Sequence, residues 1–448
     1  MRERYDVVVA GGGPGGLAAA IAAGRLGAST LLIERYGFLG GMSTAALVYP
    51  WMCFHDMTGR QVVAGLAQEI VDRLVALGAS PGHQPDMIGV MHSVTPFDKE
   101  VYKDLAVTMV QEAGVDLLLH STVVAASTDD RSLTAVHTAG PYGSRTVRGR
   151  YFVDGTGDCS LVHLAGGGTV LGRPGDGKTQ PMTMMLRFGG VDFAPIRRYM
   201  LAHPEDFWPT TRFDQLDRQP LTGVSGFTSI WREHGPAYIP RDLVLFFAGI
   251  RPGEAVVNTG RIIELDPTDV EALTQAEVLA RRQTRDLVAF MRQHIPGFEA
   301  SYLLETGVQV GIRESRRLVG LYTLSTEDAT SGRRFDDTIA LNGYQIDIHD
   351  PAGKGLVNLR LAREHFAIPY RSLVSRELAN VVVAGRAISC SVEAFAALRI
   401  TPVCMAIGQA AGTAVALAAR QGQPPAGVDV PALQAALRAQ GAILELEA

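Results

Sequence analysis

The stretch Tyr5-Asp-Val-Val-Val-Ala-Gly-Gly-Gly-Pro-Gly-Gly-Leu-Ala-Ala-Ala decides the fold. A short β-branched run enters a glycine cluster, and a segment of small residues with helical character leaves it. Gly11, Gly13 and Gly16 fit the pattern G-x-G-x-x-G, which allows a tight turn, close approach of a pyrophosphate, and close packing of helix on strand. The N-terminus of such a helix also offers free N–H groups to phosphates. The stretch therefore predicts the start of a dinucleotide-binding unit.

A second apolar run, Leu31-Leu-Ile-Glu34-Arg35, follows the helix and ends in a carboxylate. Glu34 lies about twenty residues beyond the glycines, where a carboxylate accepts hydrogen bonds from ribose hydroxyls. A further glycine pair, Gly40-Gly41, leads into Met42-Ser43-Thr44. Because strand, glycine turn, helix, strand and acid follow in this order, they predict a dinucleotide site more strongly than the glycines do alone.

The composition of the 448 residues indicates an ordinary globular protein with two domains. Hydrophobic residues make up 47% of the chain, and the net charge of -5 provides no basic surface for nucleic acid. The four cysteines, which have neither a C-x-x-C nor a metal-like spacing, are Cys53, Cys159, Cys390 and Cys404. We therefore expect no metal site, no disulfide framework and a reducing, cytoplasmic location.

Two segments share features with membrane signals. Asp6 and the glycine cluster interrupt the apolar stretch behind the first arginines, which argues against a signal peptide. Residues 400–419 carry no charge and are long enough to span a bilayer. They contain Pro402, Gly408 and Gly412 and are rich in alanine, which is typical of a helix packed tightly inside a protein. We expect no membrane association.

The predicted elements indicate a nucleotide-binding domain that a second domain interrupts. Periodicity and turn residues predict helices over 61–77, 97–113 and 268–294, and strands over 115–124, 133–137, 146–153, 242–250, 255–258 and 380–385. The last of these helices is expected to start at the cap Asp266-Pro267-Thr268. We expect residues 1–180 and 369–448 to form the discontinuous nucleotide-binding domain, and residues 181–368 to form the inserted one.

With these elements in place, the chain resembles the FAD-dependent oxidoreductases of the glutathione-reductase-like (GR2-type) flavoprotein superfamily. Within it, the chain is similar to a bacterial family related to fumarate reductases and tRNA-modifying flavoproteins. The segments that carry the resemblance are 11–16, 34–35, 37–41, 153–158, 310–317, 346–351, 381–386 and 399–412. The resemblance implies an α/β fold: a three-layer, Rossmann-like FAD-binding domain with a parallel sheet, and an inserted α+β substrate or cap domain.

The resemblance also implies FAD as the cofactor. The residues expected to hold it are Gly11, Gly13, Pro14, Gly15, Gly16, Glu34, Arg35, Gly40, Gly41, Met42, Ser43, Thr44, Val123, Thr156, Gly157, Asp158, Gly385, Arg386, Arg399 and Thr401. Gly385-Arg386 departs from the Gly-Asp pair common in flavin hydroxylases, which weakens a hydroxylase interpretation. Thr401 as N-cap and Pro402 as first helical residue predict a helix whose positive end faces the flavin.

His349 is the first candidate for acid–base catalysis, since imidazole titrates near neutrality and this one lies in a polar Asp-Ile-His-Asp-Pro turn. A histidine between two aspartates also suits a structural role as a hydrogen-bond partner within the loop. Tyr344 is a second candidate, for substrate binding or proton transfer. Cys53 and His55, which follow the second glycine pair, are weaker candidates for covalent attachment of the flavin.

Arginines supply the remaining candidates. Arg313, Arg316 and Arg317 surround Glu314, and on a strand Arg313 and Arg317 would share one face. One of them would clamp a carboxylate or stabilise negative charge on the flavin, or the cluster forms a structural ion-pair network. Arg371, at the return to the FAD-binding domain, is expected near the flavin.

These observations predict an enzyme that removes a hydride from a C–H bond next to oxygen or nitrogen. No second G-x-G-x-x-G appears downstream, which argues against a dedicated NAD(P)H domain. Two alternatives stay open: an NAD(P)H-dependent flavin monooxygenase, and a tRNA-associated flavoprotein, against which the lack of a basic stripe counts. The expected partner is a small-molecule substrate, and a homo-oligomer is compatible with this class.

Overall fold

The computed structural model describes residues 2–359 and 361–446. Its α-helices are α1 Pro14–Arg25, α2 Met42–Ala45, α3 Leu66–Ala76, α4 Lys99–Glu112, α5 Ser160–Leu164, α6 Phe193–Ala202, α7 Thr228–His234, α8 Val270–His294, α9 Thr326–Ser331, α10 Val392–Leu398, α11 Thr401–Gln421 and α12 Val430–Ala439. Single 3-10 turns lie at Pro204–Asp206, Phe213–Gln215, Tyr370–Ser372 and Pro425–Gly427.

The strands alternate with these helices. In the first part of the chain they are β1 Arg4–Ala10, β2 Thr30–Ile33, β3 Trp51–Met52, β4 Gln84–Pro85, β5 Ser93–Thr95, β6 Asp116–Leu118, β7 Thr122–Asp129, β8 Ser132–Gly140, β9 Gly143–Asp154 and β10 Thr169–Leu171. In the second part they are β11 Leu186–Gly189, β12 Val224–Gly226, β13 Val244–Ala248, β14 Ala255–Val257, β15 Tyr302–Thr306, β16 Arg316–Leu318, β17 Thr338–Asn342, β18 Ile346–His349, β19 Leu356–Leu359, β20 Phe366–Pro369 and β21 Val381–Val383.

A seven-stranded sheet organises the two ends of the chain. Strands β6, β2, β1, β9 and β21 run parallel, whereas β7 and β8 continue from β9 as an antiparallel meander. In this register Ala10 lies opposite both Ile33 and Asp154, and Asp154 lies opposite Val383. The carboxyl ends of four strands therefore meet at one edge, where doubly wound α/β folds bind their ligands.

Helix α11 packs against α1 at a distance that only small residues permit. A Cβ added to Gly408 would lie 2.0 Å from the carbonyl oxygen of Gly15, and one added to Gly412 would lie 2.0 Å from that of Ala19. The helix is long and apolar enough to cross a membrane, but 83% of its most hydrophobic window is buried inside the protein. The prediction of a tightly packed internal helix is confirmed, and close packing explains its glycines and alanines.

A second, five-stranded antiparallel sheet in the order β12-β13-β14-β11-β15 has a hydrophobic core of its own. Phe246 on β13 and Val257 on β14 belong to this core together with Leu287 and Phe290 of the long helix α8. Strands β18 and β19 then form a separate antiparallel pair that ends at His349. The chain thus combines a parallel α/β layer with an antiparallel α+β layer, which confirms the predicted fold class.

Several predicted elements have different ends in the structure. The predicted hairpin is present as β8 and β9. The predicted strand 115–124 is wrong as a single element: it divides into β6 and β7 at His120, which adopts a positive φ of 52°. The helix predicted from residue 61 begins only at Leu66, because Gly65 before it has a φ of 62° that does not continue a helix.

Two further predictions of local structure are wrong. Helix α8 is capped by Asp269, whose side chain accepts a hydrogen bond from the N–H of Ala272, and not by Asp266, which binds Thr268. The segment around Arg313 is not a strand: β16 comprises only Arg316–Leu318. The expectation that Arg313 and Arg317 share a strand face therefore fails.

Candidate active site

A groove runs along the carboxyl ends of the parallel strands, and we call it the glycine groove. It is lined by Gly11, Gly13, Pro14, Gly15, Glu34, Arg35, Tyr36, Gly41, Met42, Gly155, Thr156, Gly157, Asp158, Ile312, Ala384, Gly385, Arg386, Arg399, Thr401 and Cys404.

The turn after β1 explains why glycines form this groove. Gly11 adopts a φ of 96°, in the left-handed region that glycine tolerates best. A Cβ on Gly16 would lie 1.8 Å from the carbonyl oxygen of Gly11, so the first turn of α1 can approach the strand only without a side chain. Helix α1 begins at Pro14 without a side-chain cap, which leaves its first N–H groups free for a phosphate. Close backbone and free donors fit a dinucleotide.

Glu34 closes one end of the glycine groove. Its Oε2 accepts a hydrogen bond from the N–H of Gly12 at 2.6 Å, and its Oε1 accepts one from the N–H of Tyr36 at 2.9 Å. Burial raises the pKa of Glu34, and the two amides oppose that rise because they stabilise the charged form. Each oxygen has a further lone pair, so the carboxylate keeps acceptor capacity for the ribose hydroxyls.

Arg386 stands where flavin hydroxylases have the acid of a Gly-Asp pair. In this chain it holds the loop that follows β9. Its Nη2 lies 2.9 Å from Oδ1 of Asp158, and its Nε donates to the carbonyl of Gly157 at 2.8 Å. Ser315 donates to the same Asp158 oxygen at 2.7 Å. The departure from the hydroxylase pattern therefore comes with a partly buried ion pair between Arg386 and Asp158, which ties the late turn to the loop after β9.

Most residues predicted to bind the cofactor line the glycine groove. Those that do not are Gly16, Gly40, Ser43, Thr44 and Val123. Gly16 lies within the contact between helix and strand, and Thr44 donates its hydroxyl to the carbonyl of Leu39 at 2.8 Å.

The sequence did not point to every residue of the groove. The lining residues that were not predicted are Tyr36, Gly155, Ile312, Ala384 and Cys404. Gly155 follows the strand end Val153-Asp154 and was detectable from the same motif as its neighbours. Ile312 reaches the groove from the inserted segment, where no local pattern signals it.

The glycine groove opens into a second space of about 540 Å³, which we call the central cavity. The residues that line both are Met42, Ile312, Arg386, Arg399 and Thr401. The groove and the cavity therefore adjoin at these residues.

Helix α11 begins at this junction. Its N-cap is Ile400 and carries no capping side chain, so the predicted cap by Thr401 is wrong. Thr401 is instead the first helical residue, and its hydroxyl lies 3.5 Å from that of Ser43. The first N–H groups of α11 have no capping side chain, and Thr401 at this end lines both the groove and the cavity. That the positive end of the helix faces the flavin stays a prediction.

A hydrogen-bonded cluster around Asp347 forms the polar wall of the central cavity. Nε2 of His349 lies 3.2 Å from Oδ2 of Asp347, the phenol of Tyr344 donates to the same oxygen at 3.2 Å, and Nη2 of Arg399 lies 3.4 Å from it. Three predicted site residues thus converge on one carboxylate. Asp347 itself was not predicted, although it stands two residues before His349 on β18.

Burial and charge set the protonation states in this cluster. Burial lowers the pKa of His349, and nearby Arg313 adds to that effect against the opposing carboxylate of Asp347. Burial alone would raise the pKa of Asp347, but His349, Arg399 and Arg313 outweigh it and the net shift is downward. Burial raises the pKa of the Tyr344 phenol. The cluster therefore holds a neutral imidazole against an ionised carboxylate and a neutral phenol.

Arg313 and Arg241 also line the central cavity. Arg313 donates Nη1 to the carbonyl of Pro181, and Arg241 donates Nη2 to the carbonyl of Asn258 at 2.9 Å. Arg313 was among the predicted catalytic residues, whereas Arg241 lies in an inserted segment that gave no motif.

Other predicted residues lie elsewhere. The guanidinium of Arg371 is half-exposed, pairs with Asp337 at 2.9 Å and lines neither the groove nor the cavity, so the expectation that it lies near the flavin is wrong. Arg317 forms a buried ion pair with Glu314 at 2.6 Å, which is the structural alternative considered for this cluster.

The candidates for covalent attachment also lie outside both spaces. Cys53 is buried and its thiol donates to Asn342 at 3.3 Å, while His55 bonds to Ser93 at 2.8 Å. Burial raises the pKa of the Cys53 thiol to about 12, which makes it a poor nucleophile. All four cysteines are free and buried.

Comparisons with known proteins agree with this geometry. Short stretches match curated enzymes: 40% identity over 89 residues with ferredoxin–NADP reductase of Ralstonia pickettii, covering 20% of this chain and 23% of that protein. Dihydrolipoyl dehydrogenase of Trypanosoma brucei brucei is 46% identical over 59 residues, 12% of each chain. The matches span less than a quarter of these relatives.

One solved structure is similar over nearly the whole chain. The myxobacterial chondrochloren halogenase CndH, described as a variant of FAD-dependent halogenases, shares 13% identity with a TM-score of 0.50, covering 97% of this chain and 78% of that one. At this identity the likeness shows the fold alone.

The family described as FAD dependent oxidoreductase matches residues 6–437, which is almost the entire chain. The finer assignment to a bacterial branch of the glutathione-reductase-like superfamily stays a prediction. The match, together with the glycine groove, establishes that this chain belongs to the FAD-dependent oxidoreductase family, is an enzyme, and uses FAD as its cofactor.

Proposed function

We propose that the enzyme removes a hydride from a C–H bond next to oxygen or nitrogen in a small molecule. The observation that carries this proposal is the position of His349, whose Nε2 lies 3.2 Å from Asp347 in the wall of a cavity that joins the glycine groove. When bound in the groove, FAD supplies the hydride acceptor. The protein must then position the donor and take up the proton that leaves with the hydride.

His349 is the proposed base. Because Nε2 faces the Asp347 carboxylate, the imidazole carries its proton there and leaves Nδ1 as the acceptor. The substrate O–H or N–H gives its proton to Nδ1 while the C–H bond is broken, and the product has a C=O or C=N double bond. A lowered pKa keeps the imidazole unprotonated near neutral pH, which a general base requires.

Asp347 acts through His349 and is a positioning residue. Its Oδ2 also accepts from Tyr344 and faces Arg399, so the carboxylate is fixed from three sides. An ionised partner stabilises the imidazolium that forms when the proton is taken up. Arg399 also lines the glycine groove and so connects the proposed base with the groove that would hold FAD.

Anaerobic reduction of the FAD-loaded enzyme by a panel of alcohols, amines and hydroxy acids tests this proposal. We expect at least one compound to bleach the flavin absorbance in wild type. In His349→Gln the rate should fall about 10²- to 10⁴-fold at unchanged FAD content, the usual contribution of a general base. The matched control is His203→Gln, because His203 is about half exposed and lines neither space.

Two outcomes would contradict the proposal. If no compound of the panel bleaches the flavin but NADPH alone does, and hydroxylated product forms with oxygen, the enzyme is a monooxygenase. If His349→Gln and His203→Gln reduce the flavin equally fast, His349 is not the base. A gel shift with total tRNA at moderate salt would support the tRNA-associated alternative instead.

A further inference from the structure

Two guanidinium groups in the central cavity have no acidic partner. Within the described part of the chain, no carboxylate oxygen lies within 4.0 Å of the guanidinium of Arg241 or Arg313, and both bond only to carbonyls. Both side chains are partly buried in the cavity wall, and a charge withdrawn from water without an ionic partner loses hydration without compensation. The arrangement is therefore unusual for a purely structural role.

One carboxylate faces all of these arginines. Asp347 is the single carboxylate among the described residues that line the cavity: His349, Tyr344 and Arg399 share its Oδ2, its Oδ1 has no hydrogen-bond partner, and its charge attracts Arg241 and Arg313 from beyond 4.0 Å. The fourth lining arginine, Arg386, is neutralised by Asp158. Positive charge therefore exceeds negative charge at this wall.

The two arginines also repel one another. Burial lowers the pKa of Arg241 to about 10 and that of Arg313 in the same direction, and neighbouring arginines contribute to both shifts. An anion placed between them would remove this repulsion and form charge-assisted hydrogen bonds, which are stronger than neutral ones. The physical requirement at this wall is thus a negative group on the ligand.

Much of the remaining lining of the cavity is apolar. Its lining includes Val48, Trp51, Met52, Met57, Ile88, Val90, Met91, Met185, Trp208, Leu243, Leu245 and Phe247. Aromatic and methionine side chains adapt to flat or irregular apolar bodies. The volume of about 540 Å³ falls in the range of small-molecule sites. The lining of the cavity therefore combines positive charge with a large apolar surface.

We propose that the substrate is an organic acid with an apolar body, whose carboxylate binds Arg313 and Arg241 while the body lies against Trp208 and Phe247. This inference rests on the proposed function only in taking the central cavity as the substrate site. It identifies a class, apolar carboxylic acids, and it assigns Arg241 a binding role that no motif indicates.

Binding to the FAD-loaded enzyme tests the inference without turnover. The probe is 4-phenylbutanoate, followed by the change it causes in the absorbance spectrum of the bound flavin. Its matched probes are 4-phenylbutanamide, which lacks the charge, propanoate, which lacks the apolar body, and 4-phenylbutyl phosphate, which changes the anion. We expect 4-phenylbutanoate to bind at least about tenfold more tightly than each of the three, from the strength of charged hydrogen bonds and of apolar burial.

Variants locate the anion site. Arg313→Met and Arg241→Met should each raise the Kd of 4-phenylbutanoate about ten- to hundredfold and leave that of the amide unchanged. Arg313→Lys should recover part of the affinity. The control is Arg285→Gln, because the Arg285 side chain is 75% exposed on α8. FAD content, measured on every variant, shows that each has folded; should Arg313→Met lose FAD, Arg241→Met and Arg313→Lys decide.

The results separate this inference from the proposed function. Equal Kd values for the acid and the amide, or no effect of either methionine variant, would overturn the inference even if neutral alcohols bleach the flavin. Preferential binding of the phosphate would overturn the carboxylate assignment. Tight binding of the acid in an enzyme that no acid, alcohol or amine reduces would support the inference and overturn hydride removal.

Discussion

The glycine groove and the central cavity meet at five shared residues, yet they are built in opposite ways. Backbone geometry forms the groove: four strand ends align, and glycines such as Gly11 and Gly16 let helix and loop approach them. Side chains form the cavity, and they come from segments as distant as Trp51, Arg241 and His349. A backbone site depends on a compact local motif, whereas a side-chain site depends on the whole fold.

The two kinds of site predict which substitutions should abolish folding and FAD binding, and which should change substrate binding alone. A change in the groove acts on the folding of the parallel sheet and on FAD together. A change in the cavity acts on substrate and protonation while the cofactor stays bound.

The largest effect is expected from Gly16→Ala. The added Cβ would lie 1.8 Å from the carbonyl oxygen of Gly11; the position of the Cβ is fixed by the backbone and the oxygen belongs to the backbone, so neither can rotate away. Overpacking of this kind costs about 1–3 kcal/mol where side chains can yield, and more against backbone. We expect loss of bound FAD and of most soluble protein, measured as the flavin-to-protein absorbance ratio and the yield.

Gly427→Ala is the matched control for this substitution. Nothing lies closer than 3.6 Å to a Cβ at Gly427, and its backbone does not need a positive φ. Its yield and flavin content should equal those of wild type. Normal FAD binding by Gly16→Ala would show that the approach of α1 to β1 does not define the groove.

A smaller loss of FAD affinity is expected from Glu34→Gln. The amide keeps one acceptor but turns an N–H₂ group toward the N–H of Gly12 or of Tyr36, so one charged hydrogen bond is lost. We expect the Kd for FAD to rise about ten- to hundredfold, measured by titrating the FAD-free protein with FAD fluorescence. Glu112→Gln, at an exposed ion pair with Arg73, should leave the Kd unchanged.

The same contrast explains how much the sequence could predict. Residues of the groove lie in contiguous motifs, so Gly11 and Glu34 were identified from spacing, and Gly157 from the motif that carries the family resemblance. His349 and Tyr344 were found by residue type, but their common partner Asp347 was overlooked although it is next to both. Arg241 could not be identified, because the segment before β13 carries no motif and its place in the cavity wall depends on the folded structure.

The errors in local structure have the same origin. Thr401 and Asp266 are good capping residues by type, yet neighbouring Ile400 and Asp269 hold the cap positions. A cap depends on backbone dihedrals, which tertiary contacts fix, and local propensity is outweighed there. Arg371 was placed near the flavin because of its position in the chain, but the turn at Tyr370–Ser372 directs it to Asp337.

The pH dependence of flavin reduction tests whether residues of the central cavity set the protonation of His349. In wild type the lowered pKa of His349 keeps the base neutral, so the limiting reduction rate should be constant from pH 6 upward and fall only at lower pH. Arg313→Met removes a positive charge that lowers this pKa. The pKa of His349 should then rise by about one unit, and the fall in rate at low pH should begin at a higher pH.

Stopped-flow reduction at saturating substrate and several pH values provides the measurement, with Arg285→Gln as the control for loss of an exposed charge. An acid limb that moves to lower pH in Arg313→Met, or does not move, would mean that another group is the base. Unchanged FAD content in this variant would support the separation of cavity from groove.

The smallest effect is expected from Thr401→Ala, although this residue lies where groove and cavity join. Ile400 is the N-cap, so the Thr401 hydroxyl caps no N–H group. Its one hydrogen-bond partner among the described residues is the Ser43 hydroxyl, 3.5 Å away. We expect a change below about 0.5 kcal/mol in unfolding free energy, against about 1 kcal/mol for Asp269→Ala, which removes a working cap. Urea unfolding of the FAD-saturated protein ranks the two variants. A larger cost for Thr401→Ala would show that the positive end of α11 is stabilised through this hydroxyl, and the junction would then depend on a side chain as the cavity does.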